Sequence, residues 1–275
     1  MFTLSAFADE IADDPVLQLN RLQQEHIRWL ELRSMWGVNV LQLDREQLAE
    51  AKRLLDAAGA GVSSIGSPIG KIQISDPFEP HLQMVETAIA AARFFGAPYI
   101  RIFSFYTPKG ENPDLYREQV LERMKAICAI AEEAKITLLH ENETHIYGDT
   151  PERCRDILES CASPYLRCAF DPANFIRCGA RPMTDAYPLL AEYTDYIHVK
   201  DALLDTGKVV PAGTGDGQVP ELLEALRSRS FQGFLSLEPH LRWTPDYKDK
   251  DPAEAFSVAA AALKGLLDGM GASYQ

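Results

Sequence analysis

Short apolar runs recur along the chain, each followed by a longer stretch in which apolar positions fall three and four residues apart. The first pattern has the period of a β-strand and the second that of an amphipathic helix. Read this way, the sequence predicts strands at 2–8, 28–34, 61–67, 99–105, 136–142, 166–172, 196–201 and 234–239. Helical patterns occupy 14–25, 44–59, 77–96, 113–135, 150–161, 185–193, 219–229 and 253–271. Several helix ends are legible: Asp13 or Asp14 before Pro15, Thr150 before Pro151 and Asp251 before Pro252 pair a capping acceptor with a first-turn proline, while Gly59 and Gly96 fit C-terminal stops.

Eight strand–helix alternations demand a parallel sheet, and eight is the number that closes such a sheet into a (β/α)8 barrel ringed by helices. The competing fold is an open doubly wound sheet, which usually announces itself by a glycine-rich first βα turn; here that turn reads FADEIADD and has no glycine. A length of 275 residues suits one such barrel, so residues 1–275 are expected to form a single domain. Hydrophobic residues at 46% supply a sizeable core and argue against disorder. A net charge of −13, with no basic cluster interleaved with aromatics, speaks against nucleic acid as a partner. The opening MFTLSAFADEIADD has no basic, apolar leader pattern, and no apolar run is long enough to span a bilayer, so a cytoplasmic protein without a membrane partner is expected. Five cysteines, Cys128, Cys154, Cys161, Cys168 and Cys178, show no C-x-x-C pair and read as reduced thiols.

Candidate chemistry concentrates at the ends of the last four strands: Glu141 in ITLLHEN, Asp171 in LRCAFDPAN, His198 in YIHVKD and Glu238 in FLSLEPH. A parallel barrel brings the C-terminal ends of its strands to one mouth, where such enzymes carry their chemistry. There the four groups would form a site of three carboxylate oxygens and one imidazole nitrogen, suited to one divalent ion: Mn²⁺, Mg²⁺ or Co²⁺, with Zn²⁺ also admissible. Singly, each residue reads more readily as a capped turn or a hydrogen-bonded polar group than as a ligand. Four in consecutive units point to a metal.

At these residues the chain resembles the xylose-isomerase-like TIM barrel superfamily of sugar and sugar-phosphate isomerases and epimerases, whose fold the AP endonuclease family 2 proteins share. The pattern is ENE at 141–143, FDPANF at 170–175, HVKD at 198–201 and LEPH at 237–240. The resemblance implies that Glu141, Asp171, His198 and Glu238 bind the metal and that Glu141 and Glu238 also move protons. It therefore implies a sugar isomerase or epimerase working through an enediolate, in carbohydrate metabolism. The superfamily also holds dehydratases and endonuclease IV, so two other readings stand: a lyase or dehydratase acting on a keto-sugar or keto-inositol, and a non-catalytic sugar-binding barrel. Homodimers are a family-based expectation. The chain departs from the ketose 3-epimerases at Asn174, where they usually carry a histidine; an amide can bind a substrate hydroxyl but cannot carry a proton. With six histidines it also falls short of endonuclease IV.

Further residues are candidates for substrate contact. Lys200 shares the inward face of His198 and would either neutralise an enediolate or pair with a carboxylate. Arg33 and Arg101, on strands two and four, would clamp an anionic group or pair with Glu31, Asp9 or Glu10. His240 lies two beyond Glu238 and would reach the substrate or support the glutamate. Lys71, in GSPIGK at 66–71, and the glycines of GTGDGQVP at 213–220 suggest phosphate-approaching loops, or simply turns. His140 should face the helices as a buried, hydrogen-bonded ring, Asp201 should face outward, and His26 and His81 should lie on helices.

Overall fold

The computed structural model describes residues 1–275. Eight parallel strands form one sheet: β1 Thr3–Ala6, β2 Trp29–Leu32, β3 Gly61–Ile65, β4 Tyr99–Ile102, β5 Thr137–Glu141, β6 Leu166–Phe170, β7 Thr194–Val199 and β8 Phe234–Leu237. The hydrogen-bonded ladder runs β1-β8-β7-β6-β5-β4-β3-β2. β1 and β2 lie side by side without a ladder between them, so the barrel is nearly closed with one seam.

Helices α1 Pro15–Gln24, α2 Arg45–Ala58, α3 Glu79–Phe95, α4 Arg117–Ala134, α5 Pro151–Cys161, α6 Pro172–Arg177, α7 Tyr187–Leu190, α8 Val219–Ser228 and α9 Pro252–Gly269 fill the crossovers. Their starts follow the expected caps. Asp14 accepts from the amides of Val16 and Leu17, Thr150 from Arg153 and Asp251 from Ala253. Asp44 and Gln47 cap each other reciprocally at the start of α2. Gly59 and Gly96 end α2 and α3 in left-handed backbone.

Three segments differ from the sequence reading. The helix expected at 185–193 breaks into a wide turn at Pro182–Ala186, the single turn α7 and a tighter turn at Ala191–Tyr193; Pro188 lacks the N–H that would continue the ladder. The short α6 goes unannounced, because Asp171 caps it while belonging to the site. β7 starts at Thr194 and ends at Val199; Asp201–Ala202 then pairs antiparallel with Val209–Val210 outside the barrel. His26 lies in the turn after α1, with φ of 53°.

Inside the barrel, Leu139, Ala169 and Tyr196 pack with Tyr99 and Phe234 into an apolar floor. A bulge between Leu30 and Glu31 of β2 leaves Ser63 as the extra residue on β3. Its hydroxyl lies 2.6 Å from Ser5 of β1 and 2.8 Å from the Tyr196 hydroxyl, tying β1, β3 and β7 together where the seam has no ladder.

Gly70 has φ of +87°, and a Cβ there would drive into the Phe103 carbonyl, whereas a Cβ on Gly59 would meet nothing. Gly59→Ala should therefore cost only the left-handed backbone penalty, about 1 kcal/mol. Gly70→Ala adds a clash with fixed backbone and should cost at least about 3 kcal/mol; urea unfolding of both variants measures the difference.

Candidate metal and acid/base site

The inward residue at or within one position of the end of each of the last four strands reaches the mouth, and Glu141, Asp171, His198 and Glu238 bring one ligand-type atom each to within 4.8 Å of one another. All four are buried. His198 Nδ1 lies 3.2 Å from Glu141 Oε1 and 3.7 Å from Glu238 Oε2. Its other nitrogen, Nε2, lies 3.1 Å from Glu31 Oε2, and Glu31 also accepts from the Ser236 hydroxyl.

Packed this closely, the groups set one another's charge. Burial works against an ionised Glu141, but His198 and Arg101 prevail and hold its carboxyl down at about 2. Glu238 is likewise held well below the usual carboxylate range, since Lys200 and His240 outweigh its burial. At Asp171 burial wins over Lys200 and raises the carboxyl to about 6. Burial opposes a charge on His198, yet Glu141 and Glu31 push its proton affinity well above the ordinary imidazole value. The two glutamates thus stay ionised well into acid, whereas Asp171 takes up a proton near 6.

The donor set fits a metal ion. Glu141 Oε2, Asp171 Oδ2 and His198 Nδ1 are buried without a hydrogen-bond partner. Each instead faces an oppositely charged group, Arg101, Lys200 and Glu141 at 3.3, 2.6 and 3.2 Å respectively, and the three meet at one point, where a divalent ion would fit among them. With Glu238 they offer three oxygens and one nitrogen, a mixture suited to a hard or borderline divalent ion. The Glu31 contact to the far nitrogen of His198 is the kind that orients a ligating imidazole.

The basic residues singled out in the sequence all lie at this mouth. Lys200 Nζ is 2.9 Å from Glu238 Oε2 and meets Asp171 Oδ2 at 2.6 Å, off the line a hydrogen bond needs. Arg101 places Nη1 between the glutamates, 3.3 Å from Glu141 Oε2 and 3.7 Å from Glu238 Oε1. Arg33 forks onto Asp9 at 2.7 and 3.1 Å and reaches Glu238 Oε1 at 3.1 Å. Lys71 faces Glu143 at 3.4 Å. His240 Nε2 stands 3.5 Å from both Glu10 Oε1 and Glu238 Oε1. Asn174 donates to Glu141 Oε1 at 3.3 Å and to the Asn142 carbonyl at 3.0 Å, so it steadies the glutamate from the side. His140 is buried as expected and bonds Ser104; burial lowers its pKa to about 4.

Two expectations are refined. The amides of Gly213, Gly215 and Gly217, with that of Ala202, all donate to the Asp201 carboxylate at 2.8–3.0 Å. The GTGDG loop therefore wraps an internal anion and has no amides left for a phosphate. Asp201 is the buried anchor of that loop, accepting backbone amides as a cap does. Sequence reasoning also passed over Glu31 as the partner of His198. It is separated from His198 by 167 positions, and its only visible signal was an acid at an inward position of a core strand.

Residues 25–265 match the family model described as xylose isomerase-like TIM barrel. The chain belongs to that family. Among curated proteins, this xylose isomerase-like barrel is 36% identical over 99 residues to the 2-epi-5-epi-valiolone 7-phosphate 2-epimerase of Actinoplanes sp.. That match spans 36% of this chain and 35% of the relative's length. Among solved structures, the chain is similar to the IOLI protein with a bound zinc atom, with a TM-score of 0.79 at 14% identity, covering 98% of this chain and 99% of that one. It is also similar to the probable 3-DHS dehydratase AsbF of Bacillus anthracis, with a TM-score of 0.77 at 17% identity, covering 96% and 99%. At such identities the structural likeness shows the fold. No helix is long and apolar enough to cross a membrane, and the five cysteines are free thiols.

Glu31→Gln should weaken Mn²⁺ binding about 10- to 100-fold by loosening His198, and His198→Ala should weaken it further; a titration followed by the EPR signal of free Mn²⁺ reads both. Burial raises the Glu10 carboxyl from 4.5 to about 7, so the native state holds its proton more tightly than the unfolded chain. The stability this contributes is complete below pH 4.5 and lost as pH rises through 7. The decline in unfolding free energy of chelator-treated protein from pH 5 to pH 8 should accordingly be smaller in Glu10→Gln than in the wild type.

Proposed function

We propose that this protein is a divalent-metal-dependent isomerase or epimerase of a sugar, sugar phosphate or related polyol-type carbonyl compound, with Glu141 and Glu238 as the acid/base pair about an enediolate. The observation that carries this reading is the meeting of two ionised carboxylates, from β5 and β8, at one point with Asp171 and His198. The epimerase activity in the name of the partly matching curated relative supports it. The structurally similar IOLI protein binds a zinc atom, which supports a metal in a barrel of this fold.

A divalent ion held there would stabilise negative charge developing on adjacent substrate oxygens, an effect worth several kcal/mol. The remaining work falls to the chain. Glu141 and Glu238, both ionised, are each ready to take a proton from a carbon beside a carbonyl. In an epimerisation one glutamate removes the proton and the other returns one to the opposite face; in an isomerisation the proton returns to the neighbouring carbon. Asn174 holds Glu141 from the side and carries no proton, so the acid/base duty rests on the two glutamates. Arg101, between them, balances both charges and keeps the carboxylates from repelling one another. Lys200 holds Glu238 and stands where negative charge would gather. Phe7 and Phe103, both buried, flank Arg101 and keep water from its faces.

The test is incubation of Mn²⁺-loaded protein with ketoses, aldoses and keto-inositols in D₂O, followed by NMR. Deuterium at the carbon beside the carbonyl, with an epimer or isomer as product, is the expected result. An unsaturated product would mark a lyase, and binding without exchange would mark a sugar-binding barrel. Glu141→Gln and Glu238→Gln should each slow exchange by about 10²- to 10⁴-fold, while the metal stays bound through the remaining ligands. Near wild-type exchange in both variants would sink the two-carboxylate mechanism.

A further inference from the structure

One partly exposed ion pair stands beside the buried carboxylates, joined to them through Phe103, which packs against both Lys71 and Arg101. Lys71 Nζ, on the loop after β3, lies 3.4 Å from Glu143 Oε2, just past the end of β5. The two side chains are 32% and 18% exposed, whereas those of Glu141, His198 and Glu238 are at most 4% exposed. Both ends of the pair are mounted rigidly. Residues 69–72 run beside 103–106, with Phe103 N donating to Ile69 O, Phe105 N to Gly70 O and Tyr106 N to Ile72 O. Gly70 N donates to the buried His81 ring at 2.7 Å. The Lys71 ammonium rests 4.1 Å over the Phe103 ring. Glu143 Oε1 accepts from the amide and hydroxyl of Thr144 at 2.8 and 3.1 Å.

We propose that the Lys71–Glu143 pair is a specificity gate that admits an uncharged polyol-type substrate and rejects its phosphate ester. This rests on the sugar chemistry proposed above for the same mouth. A ligand that parts the pair must give Lys71 an acceptor and Glu143 a donor. A hydroxyl is both, so neighbouring hydroxyls of a sugar or cyclitol satisfy the two ends together. A phosphate satisfies Lys71 alone and sets its charge against Glu143, whose other oxygen is tied down by Thr144.

The surroundings do not relieve that repulsion. The other basic side chains are committed: Arg33 to Asp9 and Glu238, Arg101 to Glu141, Lys200 to Asp171 and Glu238. Glu31 adds charge at the far reach of Arg101, at 4.0 Å, and the partly protonated Glu10 lies 3.9 Å from Arg33. A divalent ion then leaves the mouth at best near neutral. The backbone amides of the two glycine-bearing loops offer a phosphate little: Gly213, Gly215 and Gly217 donate to Asp201, Thr214 and Asp216 to the Pro211 and Ala202 carbonyls, and Gly70 to His81.

Inorganic phosphate is a probe that needs no knowledge of the substrate. Its binding to wild type, Glu143→Gln and the double variant Lys71→Gln with Glu143→Gln would be followed by calorimetry and ³¹P NMR. Glu143→Gln should bind phosphate at least about tenfold more tightly than the wild type, and the double variant should lose that gain. Wild-type affinity equal to that of Glu143→Gln, or a gain that survives loss of Lys71, would overturn the gate. With whichever sugar shows exchange, the ratio of kcat/KM for the neutral substrate over its phosphate ester should exceed unity in the wild type and fall about tenfold in Glu143→Gln. A wild-type preference for the ester would also overturn it. Absence of deuterium exchange with every sugar would count against the proposed isomerase activity, and phosphate binding alone would then decide for or against the gate.

Discussion

Carboxylates cannot be crowded together out of water unless cations are crowded in with them, and this constraint organises the mouth of the barrel. Ionised groups taken from water lose solvation worth several kcal/mol each, which is recovered only where partners are close and well placed. Glu238 shows the solution most fully: Arg33, Arg101, Lys200 and His240 all lie within 4 Å of its two oxygens. Glu141 has Arg101, His198 and the Asn174 amide. Each cation serves two acids. No single ion pair can be removed without leaving a buried charge exposed to its like-charged neighbours, so the cluster acts as one unit whose members are poorly separable by single substitutions.

The same charges also serve the fold. β1 and β2 do not share a ladder, and the seam between them is crossed at the mouth by Asp9, from the turn after β1, forking onto Arg33 just past β2. Deeper in, Glu31 of β2 reaches across the interior to His198 of β7 and Ser236 of β8, and Ser63 of β3 joins Ser5 to Tyr196. Polar contacts through the lumen thus replace the backbone hydrogen bonds that the seam lacks. The residue that orients the proposed imidazole ligand therefore also helps close the barrel, which ties the geometry of the ligands to closure of the sheet.

How far the sequence disclosed this depended on whether a feature was local. The strand-end residues Glu141, Asp171, His198 and Glu238 were legible because a parallel barrel turns every strand end toward one mouth, and position along the chain then stands in for position in space. The helix caps at Asp14, Thr150 and Asp251 were legible because each bond spans two or three residues. Glu31 was not, since its partner is fixed only by the stagger of β2 against β7. The GTGDG segment looked like an anion loop and is one, but its anion is Asp201, and no local pattern distinguishes an internal carboxylate from a ligand. The helix expected at 185–193 failed for a local reason, the missing N–H of Pro188.

The mouth is divided by the order of the strands. The ends of β5 to β8 supply the four ligand-type groups, whereas the ends of β2 and β4 and the loop after β3 supply Arg33, Arg101 and Lys71. Phe7 and Phe103 stand between these cations, with Phe7 against both arginines and Phe103 against Arg101 and Lys71. The rings separate like charges and hold them to fixed positions without drawing them from the carboxylates opposite.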